Sequence, residues 1–173
     1  MSGLVRLREA EPRDIGLLDV WRRTPAYAGE FNDFDLPAHS YRYAVESGST
    51  IDDRGGLLVV EKVADGAAVG TVTWHAVSYG PNPESRAWNI GISLVPQARG
   101  RGYGSEAQRL LADYLFETTP AHRIEASTDV ENGPEHRALE KAGFRREGVA
   151  RGAQHRKGVW HDMVTYARLR TDP

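Results

Sequence analysis

The sequence predicts an α/β fold of the α+β kind, with a mixed, mostly antiparallel central sheet flanked by helices on both faces. Three observations carry the prediction. First, two neighbouring segments alternate with a period of two: Gly70, Val72, Trp74 and Ala76 oppose Val69, Thr71, Thr73 and His75, and Trp88, Ile90, Ile92 and Leu94 oppose Asn89, Gly91 and Ser93. Second, Ala107, Leu110, Leu111, Tyr114 and Leu115 recur at the spacing of one helical face. Third, a further apolar run, Ile124 to Val130, follows that helix, and a strand-helix-strand crossover is right-handed and pairs its strands in parallel.

The remaining elements follow in order. Leu4 to Arg8 is expected as a short first strand, and Glu11-Pro12-Arg13-Asp14 leads into a short helix with Ile15, Leu18 and Trp21 on one side. Thr24-Pro25 ends it. Tyr27 to Pro37 mixes aromatics with Glu30, Asp33 and Asp35, a composition for an anchored surface loop or for a loop that receives a cationic group. A second helix is expected from Ala38 to Glu46, before Gly48. Leu57 to Val63, bounded by Gly55-Gly56 and Asp65-Gly66, reads as a strand entering a hairpin.

Tyr79-Gly80-Pro81-Asn82-Pro83 joins the two alternating strands, and Thr118-Thr119-Pro120 stops the helix that begins at Tyr103. Asn132-Gly133-Pro134-Glu135 opens another helix with a cap, a proline in its first turn and a glutamate three residues after the asparagine; Gly143 closes it. Phe144 to Val149 and Val159 to Leu169 complete the chain as an antiparallel pair around a basic connection with Arg151, His155, Arg156 and Lys157.

With 173 residues, 40% hydrophobic and 27% charged, residues 1–173 are expected to form a single domain. The balance of 22 basic and 24 acidic residues gives a formal charge of -2, without the overall field that nucleic-acid or anionic-membrane binding exploits. No nucleic acid and no membrane is expected as a partner. The absence of cysteine excludes disulfides, thiolate metal sites and a cysteine nucleophile, and His39, His122, His136, His155 and His161 lack metal-ligand spacing, so no metal is expected. The first residues carry no long apolar core, and no apolar run has membrane-spanning length, which points to a cytoplasmic protein. A homodimer through exposed strands or the closing hairpin is compatible with this pattern.

The stretch from Pro96 to Ser105 sits between a strand and a helix and alternates three glycines with Arg101 and Tyr103. Glycine lets a backbone pass close under a ligand or adopt positive φ, and unpaired N–H groups at a helix start favour phosphate. A Walker loop needs lysine and then a hydroxyl residue after its last glycine, whereas Gly104 precedes Ser105-Glu106. A dinucleotide fold places its glycines in the first βα turn, with an acid such as Asp129 at the end of the next strand, and the preceding meander is the wrong setting.

The pattern Gln97-x-x-Gly100-x-Gly102, after a strand and at a helix start, resembles the coenzyme A pyrophosphate loop of the GNAT acetyltransferase superfamily. Asn132 followed by Arg137-Ala138-Leu139-Glu140-Lys141-Ala142-Gly143-Phe144 and the Trp160 to Tyr166 strand resembles its ribosomal-protein N-terminal (alanine) acetyltransferase branch. The likeness runs from about Leu57 onward. It implies acetyl-CoA as cosubstrate and an amine as acceptor. The main chain of Gln97, Arg99, Gly100, Arg101, Gly102, Tyr103, Gly104 and Ser105 would hold the pyrophosphate, with Arg99 or Arg101 adding charge-assisted contacts. The backbone of Ile92, Ser93, Leu94 and Val95 would pair with the pantetheine arm. Asn132 would contact the arm or the thiol end, or else only cap its helix with Glu135.

Acetyl transfer needs an unprotonated amine, a donor for the tetrahedral oxyanion and a proton for the leaving thiolate. A main-chain N–H near Ser93 or Leu94 suits the oxyanion. Where many relatives place a glutamate this chain has Asn89, which cannot take a proton but could position a water. His75, on the polar face of the preceding strand, is the candidate base, a role open to a histidine side chain. At the positions of the usual tyrosine and serine acids stand Leu139 and Glu135, and Glu135 would either relay a proton or complete the cap. Direct transfer in a ternary complex follows from the missing nucleophile; a non-catalytic acyl-CoA-binding module is the alternative.

Overall fold

The computed structural model describes residues 3–36 and 39–173. Its strands are β1 (Val5–Arg8), β2 (Ile51–Asp52), β3 (Gly55–Lys62), β4 (Ala68–Ser78), β5 (Arg86–Leu94), β6 (Arg123–Asp129), β7 (Arg145–Arg156) and β8 (Val159–Leu169). The helices are α1 (Ile15–Arg23), α2 (Pro25–Ala28), α3 (Arg42–Glu46), α4 (Tyr103–Thr118) and α5 (Gly133–Lys141). One sheet runs β1-β3-β4-β5-β6-β8-β7, with β2 added onto β3. All pairings are antiparallel except β5 with β6, which α4 connects, so the expected mixed, mostly antiparallel sheet is present.

The alternation of the strands fixes which helix covers which face. Trp74 meets Tyr114 of α4 edge-on with ring centroids 5.9 Å apart, an arrangement aromatic pairs favour. Val72, Ile90, Ile124, Val164 and Tyr166 share this core with Leu111 and Leu115 of α4 and Leu139 of α5. On the opposite face, the Tyr27 hydroxyl pairs with Thr71 Oγ1 at 2.8 Å, which docks α2 beneath β4. Ile15, Leu18 and Trp21 of α1 and Val45 of α3 complete that second cluster. Among the described residues no helix is long and apolar enough to cross a membrane.

The departures from expectation have local causes. Pro25 ends α1 and also starts α2, a position where its missing N–H costs nothing. Ala38, the expected first residue of the second helix, and Pro37 lie outside the described residues. Helix α3 begins only at Arg42, where the Ser40 hydroxyl accepts from the Arg42 N–H and the Asp19 carboxylate holds Ser40 and the Tyr41 N–H. Gly55-Gly56 lies within β3 rather than before it. A Cβ on Gly56 would come within 2.2 Å of the Trp74 ring, so glycine is there for close approach and not as punctuation. Strand β7 extends through most of the basic connection to Arg156, and the turn shrinks to Lys157-Gly158, both at positive φ (49° and 79°) as a primed hairpin turn requires.

Candidate active site

A sheet with a single parallel pair among antiparallel ones opens where that pair stops. β5 and β6 are in register only at Trp88↔Ile124 and Asn89↔Glu125. Beyond them β5 continues along β4 as far as Gly70↔Leu94. The Val95 N–H bonds the Val69 carbonyl at 2.9 Å, so by antiparallel alternation Ser93 also directs its peptide groups toward β4. Those of Ile92 and Leu94 face the gap beside β6. A cleft of about 570 Å³ continues this gap.

The start of α4 forms one end of the cleft. Gly100 (φ 72°) and Gly102 (φ 82°) turn the chain into the helix, and Gly100, Gly102, Gly104 and Ser105 line the cavity. No described residue accepts from the N–H groups of residues 100 to 105, which leaves a cluster of donors at the positive end of a 16-residue helix. This donor set fits a pyrophosphate.

Arg99 borders the cleft but acts first as a tie. Its Nε donates to the Leu94 carbonyl at 3.0 Å, and its Nη2 donates to the carbonyls of Ala26 (2.7 Å) and Tyr27 (2.9 Å), joining β5 to the end of α2. The Arg101 Nε turns back onto the Gln97 carbonyl at 3.0 Å, and neither side chain lines the cavity. Val95 and Tyr103 pack their side chains against the core instead. Four of the expected cofactor residues thus offer the cleft main chain at most.

The opposite wall is the first turn of α5. Asn132 Oδ1 accepts from the Glu135 N–H at 3.4 Å and Asn132 Nδ2 donates to Thr128 Oγ1 at 3.0 Å, so the side chain caps the helix and fastens it to the end of β6. The Glu135 carboxyl does not complete that cap. It lines the cleft beside Gln108 of α4, and burial raises it from 4.5 to about 7 against a smaller opposing influence of Gln108. Gln108 is 1% exposed and its Nε2 has no hydrogen-bond partner among the described residues. Leu139, at the position of the usual tyrosine, is sealed in the core.

The third wall is residues 29–32, held from outside by the β7-β8 hairpin. Arg156, 5% exposed, donates from Nη2 to Asp129 Oδ2 at 2.7 Å and from Nη1 to the Phe31 carbonyl at 3.2 Å. Lys157 pairs with Asp33 at 2.8 Å. The acidic loop is therefore anchored within the chain, and Asp33 is already paired. His75 and Asn89 are partners in the β4-β5 register, as the expected phase required, but both stand outside the cleft lining, whereas Ser93 and Glu135 are in it. Gln108, Arg156 and Glu125, none of them singled out by a motif, are the site's additional polar groups.

The model of the acetyltransferase (GNAT) domain matches residues 5–145. The chain belongs to the GNAT acetyltransferase family. This GNAT chain is 38% identical over 109 residues to a probable N-acetyltransferase, YjcK, of Bacillus subtilis, covering 63% of this chain and 59% of that protein's length. Its fold is shared with the ribosomal-protein-S5-alanine acetyltransferase of Vibrio fischeri (TM-score 0.81, 19% identity, 99% and 96% of the two chains). The spermidine N-acetyltransferase of Vibrio cholerae, in complex with CoA and spermine, is equally similar (TM-score 0.81, 20% identity, 99% and 98%).

Proposed function

We propose that this GNAT chain transfers an acetyl group from acetyl-CoA to a primary amine by direct attack in a ternary complex. The observation that carries the reading is one continuous cleft that joins the open N–H groups at the α4 start, the unpaired edge of β5 and the Glu135 carboxyl. The amides of residues 100 to 105 hold the pyrophosphate. The Ile92 carbonyl and the Leu94 N–H pair with the pantetheine arm, the Leu94 carbonyl being held by Arg99, and the Ile92 N–H, open toward the gap, serves the oxyanion better than the Ser93 N–H, which faces β4. Glu135, with a carboxyl at about 7, supplies the proton taken up by the departing sulfur. The chain contains no cysteine, and Ser93 Oγ has no hydrogen-bonded base among the described residues, which supports transfer without an acetyl-enzyme. Acceptors of the kinds named for the similar structures, a ribosomal protein or a polyamine, can present the required amine.

The deciding experiment follows thiol release from acetyl-CoA across a panel of N-terminal peptides and polyamines, alongside thermal protection by CoA. Thiol release that requires an amine, with equimolar N-acetyl product, is expected. CoA binding without thiol release across the panel would establish the non-catalytic module instead, and absence of CoA binding would remove the site assignment.

The loop itself yields a prediction. An L-residue in the left-handed conformation of Gly102 costs about 1–2 kcal/mol, and its Cβ would meet Leu4 Cδ1 at 3.4 Å. Gly102→Ala is expected to weaken CoA binding about tenfold in a titration. Unchanged affinity would show that the turn into α4 does not present the pyrophosphate donors.

A further inference from the structure

The closed end of the gap carries groups that the cleft lining does not include. The registers His75↔Asn89 and Asn89↔Glu125 set these three residues in one transverse row on the face away from α4, at the point where β5 and β6 separate. Glu125 is 6% exposed. Its Oε2 accepts from the Tyr79 hydroxyl at 2.6 Å and from Arg123 Nε at 2.9 Å, and its Oε1 accepts from Asn89 Nδ2 at 3.4 Å. Tyr79 is itself 65% exposed and, with Arg123, Glu147 and Thr165, borders a concavity of about 490 Å³ on that face. A buried carboxylate at the apex of the gap is thus connected to an open concavity by a phenol hydroxyl.

We propose that Tyr79 and Glu125 form the proton-accepting side of the transfer, in place of the carboxylate that Asn89 does not provide. The inference rests on the acetyl-transfer reading above. The acceptor enters through the concavity as its ammonium and gives one proton to Tyr79 Oη while the hydroxyl's own proton moves to Glu125 Oε2 and from there to solvent. The freed amine nitrogen bonds to the acetyl carbon as the carbon–sulfur bond breaks, the sulfur takes the proton of Glu135, and the nitrogen's second proton returns Glu135 to its protonated form, which restores the site.

The hydrogen bond to Glu125, together with burial, raises the Tyr79 phenol above its ordinary range, so the hydroxyl is protonated at neutral pH and can act only as a relay. The charged and titratable groups facing the pair are Arg123 on the same strand, His75 from β4 and Glu147 from β7, the last held by Arg123 at 2.6 and 2.8 Å. Ala167 of β8 opposes Glu125 without charge.

The test compares wild type, Tyr79→Phe and Glu125→Gln in kcat against pH with a saturating amine, and in CoA affinity. Both variants are expected to lose about 100-fold in kcat near neutral pH while CoA affinity stays within about twofold. The loss should shrink as pH approaches the pKa of the amine, because a free base needs no relay. Should Glu125→Gln fail to fold once Arg123 loses one of its two carboxylate partners, Tyr79→Phe, which removes one hydroxyl from an exposed ring, still decides. Wild-type kcat in Tyr79→Phe, or a loss equal at every pH, would overturn the relay and leave acetyl transfer standing; a wild-type protein that releases no thiol would remove both.

Discussion

Glu135→Gln is expected to lower kcat for thiol release about 100-fold, to abolish the decline of kcat above pH 7, and to stabilise the protein at pH 8. All three follow from one carboxyl held at about 7 by burial against α4. As the acid for the leaving sulfur, it must be protonated, so wild-type kcat falls as pH rises through 7. For stability, the folded-state value lies above the ordinary 4.5, and the folded protein therefore binds more protons than the unfolded chain between those limits. The stability associated with this group is complete below 4.5 and is lost as pH rises through about 7. The full difference corresponds to ~3 kcal/mol. Glu135 keeps part of its surface open to the cleft, so about 1–2 kcal/mol is the expected size. A gain of roughly 3–6 °C in Tm at pH 8, absent at pH 4, should separate variant from wild type. A Tm difference that does not change with pH would remove the buried-acid argument, and a persistent decline of kcat above pH 7 in the variant would assign the acid elsewhere.

The placement of Glu135 shows what could be read from the chain alone. Asn132 and Glu135 have the spacing of a capping box, and the same spacing puts the glutamate on the turn that faces α4. Only the packing of α4 on α5 decides between the two, and it turns the carboxyl toward Gln108. The strands and the glycine turn were legible because their signals are local: alternation in 70–76 and 88–94, helical spacing in 107–115, and glycines where φ is positive. Arg99 was legible as a charge near the loop, but its partners lie more than seventy residues away on α2. Glu125 carries no motif, and only the register of a two-residue parallel pairing sets it beside Asn89. The second half of β7 is polar because it lies at the sheet edge, so its composition reads as a loop.

Arg156→Met should be the most destabilising single change near the site, by about 3–5 kcal/mol. Asp129 is 2% exposed; burial pushes its carboxyl up, but the Arg156 hydrogen bond, the Glu131 N–H and the nearby charges hold it below its ordinary value. In wild type this contribution is present above the ordinary aspartate range and is lost as pH falls through the depressed value. Without the guanidinium, burial prevails and the sign reverses, so the variant should lose stability as pH rises. His161, whose Nδ1 lies 3.2 Å from Asp129 Oδ2, can replace part of the charge only when protonated, which acts in the same direction. Adding Asp129→Asn removes the uncompensated charge, and the double variant should recover most of the lost Tm. The functional effect is separable from the folding one. Arg156 also holds the Phe31 carbonyl and stands 5.8 Å over the Phe31 ring, and Phe31 lines the cleft. The stabilised double variant should therefore retain a raised KM for its substrates with a smaller change in kcat, since the wall is released while Glu135 and the α4 amides are untouched. Full recovery of KM along with Tm would show that the hairpin serves stability alone, and that residues 29–32 need no support from Arg156 to form the cleft.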